Sequence, residues 1–74
     1  MRNAKLFDSV ALLEDLPDEN LRRGQVGAIV EIFDGGEAFE VEFVDTKGET
    51  YGLLPLNSNQ VIVLSHQSSE KVAA

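Results

Sequence analysis

The sequence predicts an all-β domain, and three observations carry the prediction. Residues Ala38 to Val44 alternate apolar and acidic side chains with period two, the signature of a strand with one buried and one wet face. Two polar turns, Asp34-Gly35-Gly36-Glu37 and Asp45-Thr46-Lys47-Gly48-Glu49, punctuate short apolar runs; glycine accepts the positive φ that hairpin turns demand. Leu21 to Ile32 reads as a tight loop with Arg22, Arg23 and Gly24 that feeds a long, bent apolar strand.

Taken in order, Met1 to Leu6 is a short leader. Phe7 to Leu13 is a first strand, with Val10 and Leu12 on one face and Ala11 and Leu13 on the other. Glu14 to Asn20 is a loop, because Pro17 cannot donate to a ladder and Asp15, Asp18 and Glu19 favour solvent. A single helical turn opening at Pro17 competes with that assignment. Gln25 to Phe33 is the central strand, with Val26, Ala28, Val30 and Ile32 directed to the core and Gly27 permitting a bend. In Ala38 to Val44, Phe39, Val41 and Phe43 point inward while Glu40 and Glu42 meet water. Thr50 to Leu54 is a fourth strand, carrying Tyr51 and Leu53 and ended by Pro55. Leu56 to Asn59 forms one helical turn, and Gln60 to Leu64 is a fifth strand, apolar on both faces. Ser65 to Ala74 is small, polar and aperiodic, which predicts a disordered tail, so the folded domain is residues 1–64 and the tail 65–74.

Five short strands with one short 3-10 turn before the last describe a small, partly open SH3-like barrel. Closure lets so short a chain bury one apolar face and limit its free edges. At 74 residues the chain holds a single domain. A domain of this size buries only about 60% of the surface its unfolded chain exposes. Cysteine is absent and His66 is the only histidine, so neither a disulfide nor a multi-histidine zinc site can supplement the core. No cofactor is expected. A net charge of −7, from 13 acidic and 6 basic residues, repels nucleic acid and anionic membranes and attracts basic proteins. Asp8 and Ser9 interrupt any secretory leader, and no apolar run nears the ~20 residues of a membrane span. A cytoplasmic location is the expectation.

The stretch Leu21-Arg22-Arg23-Gly24-Gln25-Val26-Gly27-Ala28-Ile29-Val30 resembles the KOW-type segment of ribosomal and transcription-elongation proteins, and the matching stretch in the β-subunit barrel of nitrile hydratases. In each, a glycine sits in a loop-to-strand turn of an SH3-like barrel. A longer likeness runs through Leu6-Phe7-Asp8, Val10 to Pro17, Arg23 to Gly27, Phe39 to Phe43 and Tyr51 to Leu54. These segments resemble DUF4926, a bacterial family of unknown function, over roughly Lys5 to Leu64. Gly52 and Pro55 depart from the family pattern and leave the framework untouched. The resemblance implies a small accessory protein of the kind encoded beside toxin-like or restriction-like genes, hence an antitoxin or immunity role.

Three constellations are candidates for function. Arg22 and Arg23, with Lys47, could clamp phosphates, since the arginine fork suits phosphate oxygens. The competing structural role is salt-bridging to Asp15, Asp18 or Glu19, which the negative field of the chain favours. The acidic set, Asp15, Asp18 and Glu19 in the first loop and Glu31, Glu40 and Glu42 on outward faces, would suit a basic protein partner; a solvated face is the bland counterpart. Finally, Leu13, Ile29, Phe33, Ile62 and Leu64 fall opposite the assigned core residues. They predict apolar surface, with the last strand as an edge for a protein partner or a second copy of the chain. No calcium-loop spacing, histidine base or set nucleophile accompanies the carboxylates, so catalysis is not expected. The preferred expectation is a non-catalytic protein-interaction module, and the alternative a KOW-like nucleic-acid-binding module.

Overall fold

The computed structural model describes residues 4–64. They form one antiparallel sheet of five strands, β1 (Ser9–Leu12), β2 (Val26–Phe33), β3 (Ala38–Val44), β4 (Thr50–Asn57) and β5 (Val61–Leu64), in the order β4-β3-β2-β1-β5. Single 3-10 turns fall at Pro17–Glu19, Asp34–Gly36 and Ser58–Gln60. The all-β class, the five strands and the short turn before β5 are as predicted. The expected tail, residues 65–74, lies outside the described residues.

Closure into a barrel is not seen. β4 and β5 stand at opposite ends of the sheet order. β5 pairs with β1 along its whole length, from Ser9↔Leu64 to Leu12↔Val61. On β4, the Ser58 N–H donates to the Glu37 carbonyl (2.9 Å), and the register sets Ala38 opposite Asn57. Hydrogen-bonded pairs alternate along an antiparallel ladder, so Gly52, Leu54 and Leu56 bond to β3 while Leu53, Pro55 and Asn57 turn their nitrogens outward. Pro55 has no N–H to offer, and the Asn57 N–H is taken by Gln60 Oε1 at 2.8 Å. The open side of β4 is therefore short of donors for another strand. The same geometry explains why Pro55 does not end β4 as predicted: an edge strand tolerates proline where its nitrogen faces away from the ladder.

The core consists of Val10, Leu12, Leu21, Ile29, Phe39, Val41, Phe43, Leu56 and Val61, with Leu16, Ile32, Leu54 and Val63 packed against it. Alternation placed Val10, Leu12, Phe39, Val41 and Phe43 correctly. It misplaced most of β2. Ile29, expected on the surface, is fully buried, whereas Val26, expected inside, is 49% exposed. The register steps from Ile29↔Val41 to Glu31↔Glu40, a bulge in which β2 spends one residue more than β3 and so exchanges its faces. Gly27 and Ile29 point inward before the bulge and Ile32 after it. A second bulge, between Phe43↔Gly52 and Val44↔Thr50, turns Thr50 to the outward face; Tyr51 and Leu53, alternating with Gly52 and Leu54, are exposed.

Gly27 occupies the tightest crossing. A Cβ there would meet Val41 Cγ1 at 2.7 Å, the Glu42 carbonyl oxygen at 2.8 Å and Phe43 Cδ1 at 2.9 Å. Glycine thus lets the β2 backbone lie directly on β3. In the β1–β2 loop, Leu16 and Leu21 exchange N–H···O bonds of 2.9 and 3.1 Å around the Pro17 turn, with Asn20 at φ 60°. The competing one-turn assignment was the correct one, and it seats Leu21 in the core.

Candidate protein-binding surface

The strand registers define the face of the sheet opposite the core. One row crosses it as Leu64, Ser9, Ala28, Glu42 and Leu53; a second joins Ile62, Ala11 and Val26; a third joins Glu31, Glu40 and Pro55. Two blocks result. Over β5, β1 and the start of β2 these rows hold no charged residue among the described residues, and Ile62, Leu64 and Val26 are exposed. Over the rest of β2 and β3 it carries Glu31, Glu40 and Glu42. Ala28 and Glu42 are direct partners, so the apolar and acidic blocks adjoin. Glu31 stands opposite Glu40, and like charges placed so are mildly destabilising. Glu42 Oε2 accepts a hydrogen bond from the Thr50 hydroxyl.

The remaining acidic candidates sit elsewhere, in the β1–β2 loop. Asp15 Oδ1 accepts the Arg23 backbone N–H at 2.8 Å. Asp15 is thus the partner the charge argument named, but through the main chain and not through a guanidinium. Asp18 and Glu19 lie exposed on the Pro17–Glu19 turn. Nearby Glu14 Oε2 accepts from Gln60 Nε2 at 2.8 Å, tying this loop to the turn before β5.

The basic candidates are divided between two loops. Arg22 and Arg23 are exposed beside Gly24. Lys47 is exposed in the β3–β4 turn, where Asp45 Oδ1 accepts the backbone N–H groups of Lys47 (2.8 Å) and Glu49 (2.9 Å). Gln25, which sequence reasoning did not single out, organises the first of these loops. Its Oε1 accepts the Arg22 N–H, and its Nε2 donates to the Tyr51 hydroxyl at 3.1 Å. Tyr51 in turn leans on the buried Phe43, with ring centroids 6.3 Å apart and planes at 42°, while the residue stays about half exposed.

Of the predicted apolar surface residues, Leu13, Phe33, Ile62 and Leu64 are exposed and Ile29 is not. Val26 and Leu53 were missed; Val26 follows from the β2 bulge, which a hydropathy pattern does not mark, and Leu53 from its pairing with the outward Glu42. An open cleft of 1010 Å³ lies between the Asp34–Gly36 turn and the Ser58–Gln60 turn, with Ile32, Phe39, Val61 and Val63 on its walls and Glu37 the one titratable group among the described lining residues. Among the described residues no group of three or more His, Cys, Asp or Glu side chains could hold a metal ion, and no helix is long and apolar enough to cross a membrane.

Compared with family models, the sequence matches the one described as Domain of unknown function (DUF4926) over residues 6–63. No curated protein and no solved structure matches.

Proposed function

We propose, from the premise that the chain belongs to the DUF4926 family of unknown function, that it is a non-catalytic protein-interaction module of the cytoplasm whose partner is a basic protein. The observation that supports this most is the adjoining of the apolar and acidic blocks on one sheet face. An interface needs apolar area to hold and charge to select. Here Val26, Ile62 and Leu64 offer the first and Glu31, Glu40 and Glu42 the second. The Glu31–Glu40 opposition costs the free protein a little, and a lysine or arginine of a partner would relieve it. The net charge of −7 would steer such a partner from a distance. A toxin-like protein, with this chain as its antitoxin or immunity protein, is one concrete form of the proposal.

Co-purification of the tagged protein from its native host, followed by titration with the recovered partner, tests it. A stoichiometric basic partner is expected, whose association slows with added salt and whose affinity falls on the order of tenfold or more in the triple variant Glu31→Gln, Glu40→Gln, Glu42→Gln. Recovery of no partner, with a monomer by light scattering, refutes it. Retention on RNA or DNA at low salt, lost in Arg22→Ala with Arg23→Ala, would move the function to nucleic acid binding through Arg22, Arg23 and Lys47.

A further inference from the structure

The turn between β2 and β3 combines four properties found together at no other aspartate among the described residues. Asp34 is followed by a glycine, whereas Asp8, Asp15, Asp18 and Asp45 precede residues that carry a Cβ. Asp34 and Gly35 are both exposed, and the space where a Gly35 Cβ would lie is empty to 4 Å. Among the described residues the Asp34 carboxylate has no hydrogen-bond partner, while Asp8, Asp15 and Asp45 each accept at least one backbone N–H. Asp34, Gly35 and Gly36 run through φ values of 53°, 67° and 105°. Asp34 alone of the three holds a left-handed conformation against the steric cost of a Cβ.

We propose that Asp34–Gly35 is a site of spontaneous backbone isomerisation, at which Asp34 converts to isoaspartate in the folded protein. The Gly35 amide nitrogen, giving its proton to solvent, bonds to Asp34 Cγ; the Cγ–OH bond breaks and the oxygen leaves as water, closing a five-membered succinimide. One water then adds to either imide carbonyl. Opening at the former main-chain carbonyl leaves Gly35 attached through Cγ, with the old main-chain carbon now a free carboxylate. Opening at Cγ restores aspartate. One water is lost and one gained, nothing is oxidised, and mass and charge are unchanged. Glycine presents no side chain to hinder the approach of the nitrogen, and the free carboxylate need break no hydrogen bond to react. The product inserts a methylene into the main chain at residue 34, which ends the requirement that a Cβ-bearing residue hold a positive φ there.

The test is ageing of the full chain in its folded state at neutral pH and physiological temperature. Proteolysis, separation of isomeric peptides and isoaspartate-specific enzymatic methylation then read the product. IsoAsp is expected in the peptide carrying Asp34 on the order of tenfold above the peptides carrying Asp8, Asp15, Asp18 and Asp45, and Asp34→Glu abolishes it, because its longer side chain would have to close a six-membered ring. The wild-type comparison between sites stands whether or not that variant folds. Equal conversion at all five aspartates overturns the proposal. So does conversion at Asp34 in urea-unfolded chain but not in folded chain, which would show that the turn protects the bond.

Discussion

Strands β2, β3 and β4 run eight, seven and eight residues, while β1 and β5 run four each. The long meander supplies Ile29, Phe39, Val41, Phe43 and Leu56 to the core; the short ribbon supplies Val10, Leu12 and Val61. Their outward faces differ in the opposite sense. The meander, rich in ladder bonds and aromatic packing, carries the acidic residues and the Glu31–Glu40 clash. The ribbon, with few ladder bonds, carries no charge on its outward rows. The half of the molecule with stability to spare bears the electrostatic cost of a charged surface, and the half without it is covered by aliphatic side chains.

Four substitutions would break or sharpen that contrast. Phe43→Ala removes the largest fully buried side chain and should cost about 3–5 kcal/mol, against about 1.5 kcal/mol for Val61→Ala in the ribbon; urea unfolding midpoints measure both, and equal losses would erase the division. Gly27→Ala drives a Cβ into β3 at three contacts below 3.0 Å, and an overpacking cost of about 1–3 kcal/mol is expected. Its signature is a lowered midpoint with an unchanged slope, which marks lost stability without a change in the surface exposed on unfolding. Smallest is Glu40→Gln, which should stabilise by a few tenths to about 1 kcal/mol and lose that advantage as salt is added. A destabilised Glu40→Gln would mean that the clash with Glu31 is not a cost.

The elements were largely legible in the sequence because their signals are local. Phe39, Val41 and Phe43 alternate with glutamates, and two polar turns that carry glycine fix where the meander reverses. What failed to read was parity. A bulge adds one residue to one strand, and nothing in the residues around Ile29 or Tyr51 announces it; its effect is to exchange inside and outside along the rest of the strand. Ile29 and Val26 therefore swapped places. Part of the candidate surface moved with them, since Val26 completes an apolar block with Ile62 and Leu64. Barrel closure failed to read for another reason: it depends on which backbone donors of β4 face away from β3, and that is set by register. Charge suggested a salt bridge from Arg22 or Arg23 to Asp15, Asp18 or Glu19; the bond found instead runs from the Arg23 main-chain N–H to Asp15 Oδ1, a choice that loop geometry makes and composition does not.

The open side of β4 has a consequence for the protein in crowded solution. Cross-β fibrils grow by offering each arriving strand an unbroken line of donors and acceptors. Along β4 that line fails at Pro55, which has no hydrogen to give, and at Asn57, whose hydrogen is committed to Gln60. A strand arriving there finds its template interrupted twice in succession beyond Leu53. A residue that looks at first like a flaw in a strand thus works as a stop against polymer growth, and it does so without a charged side chain.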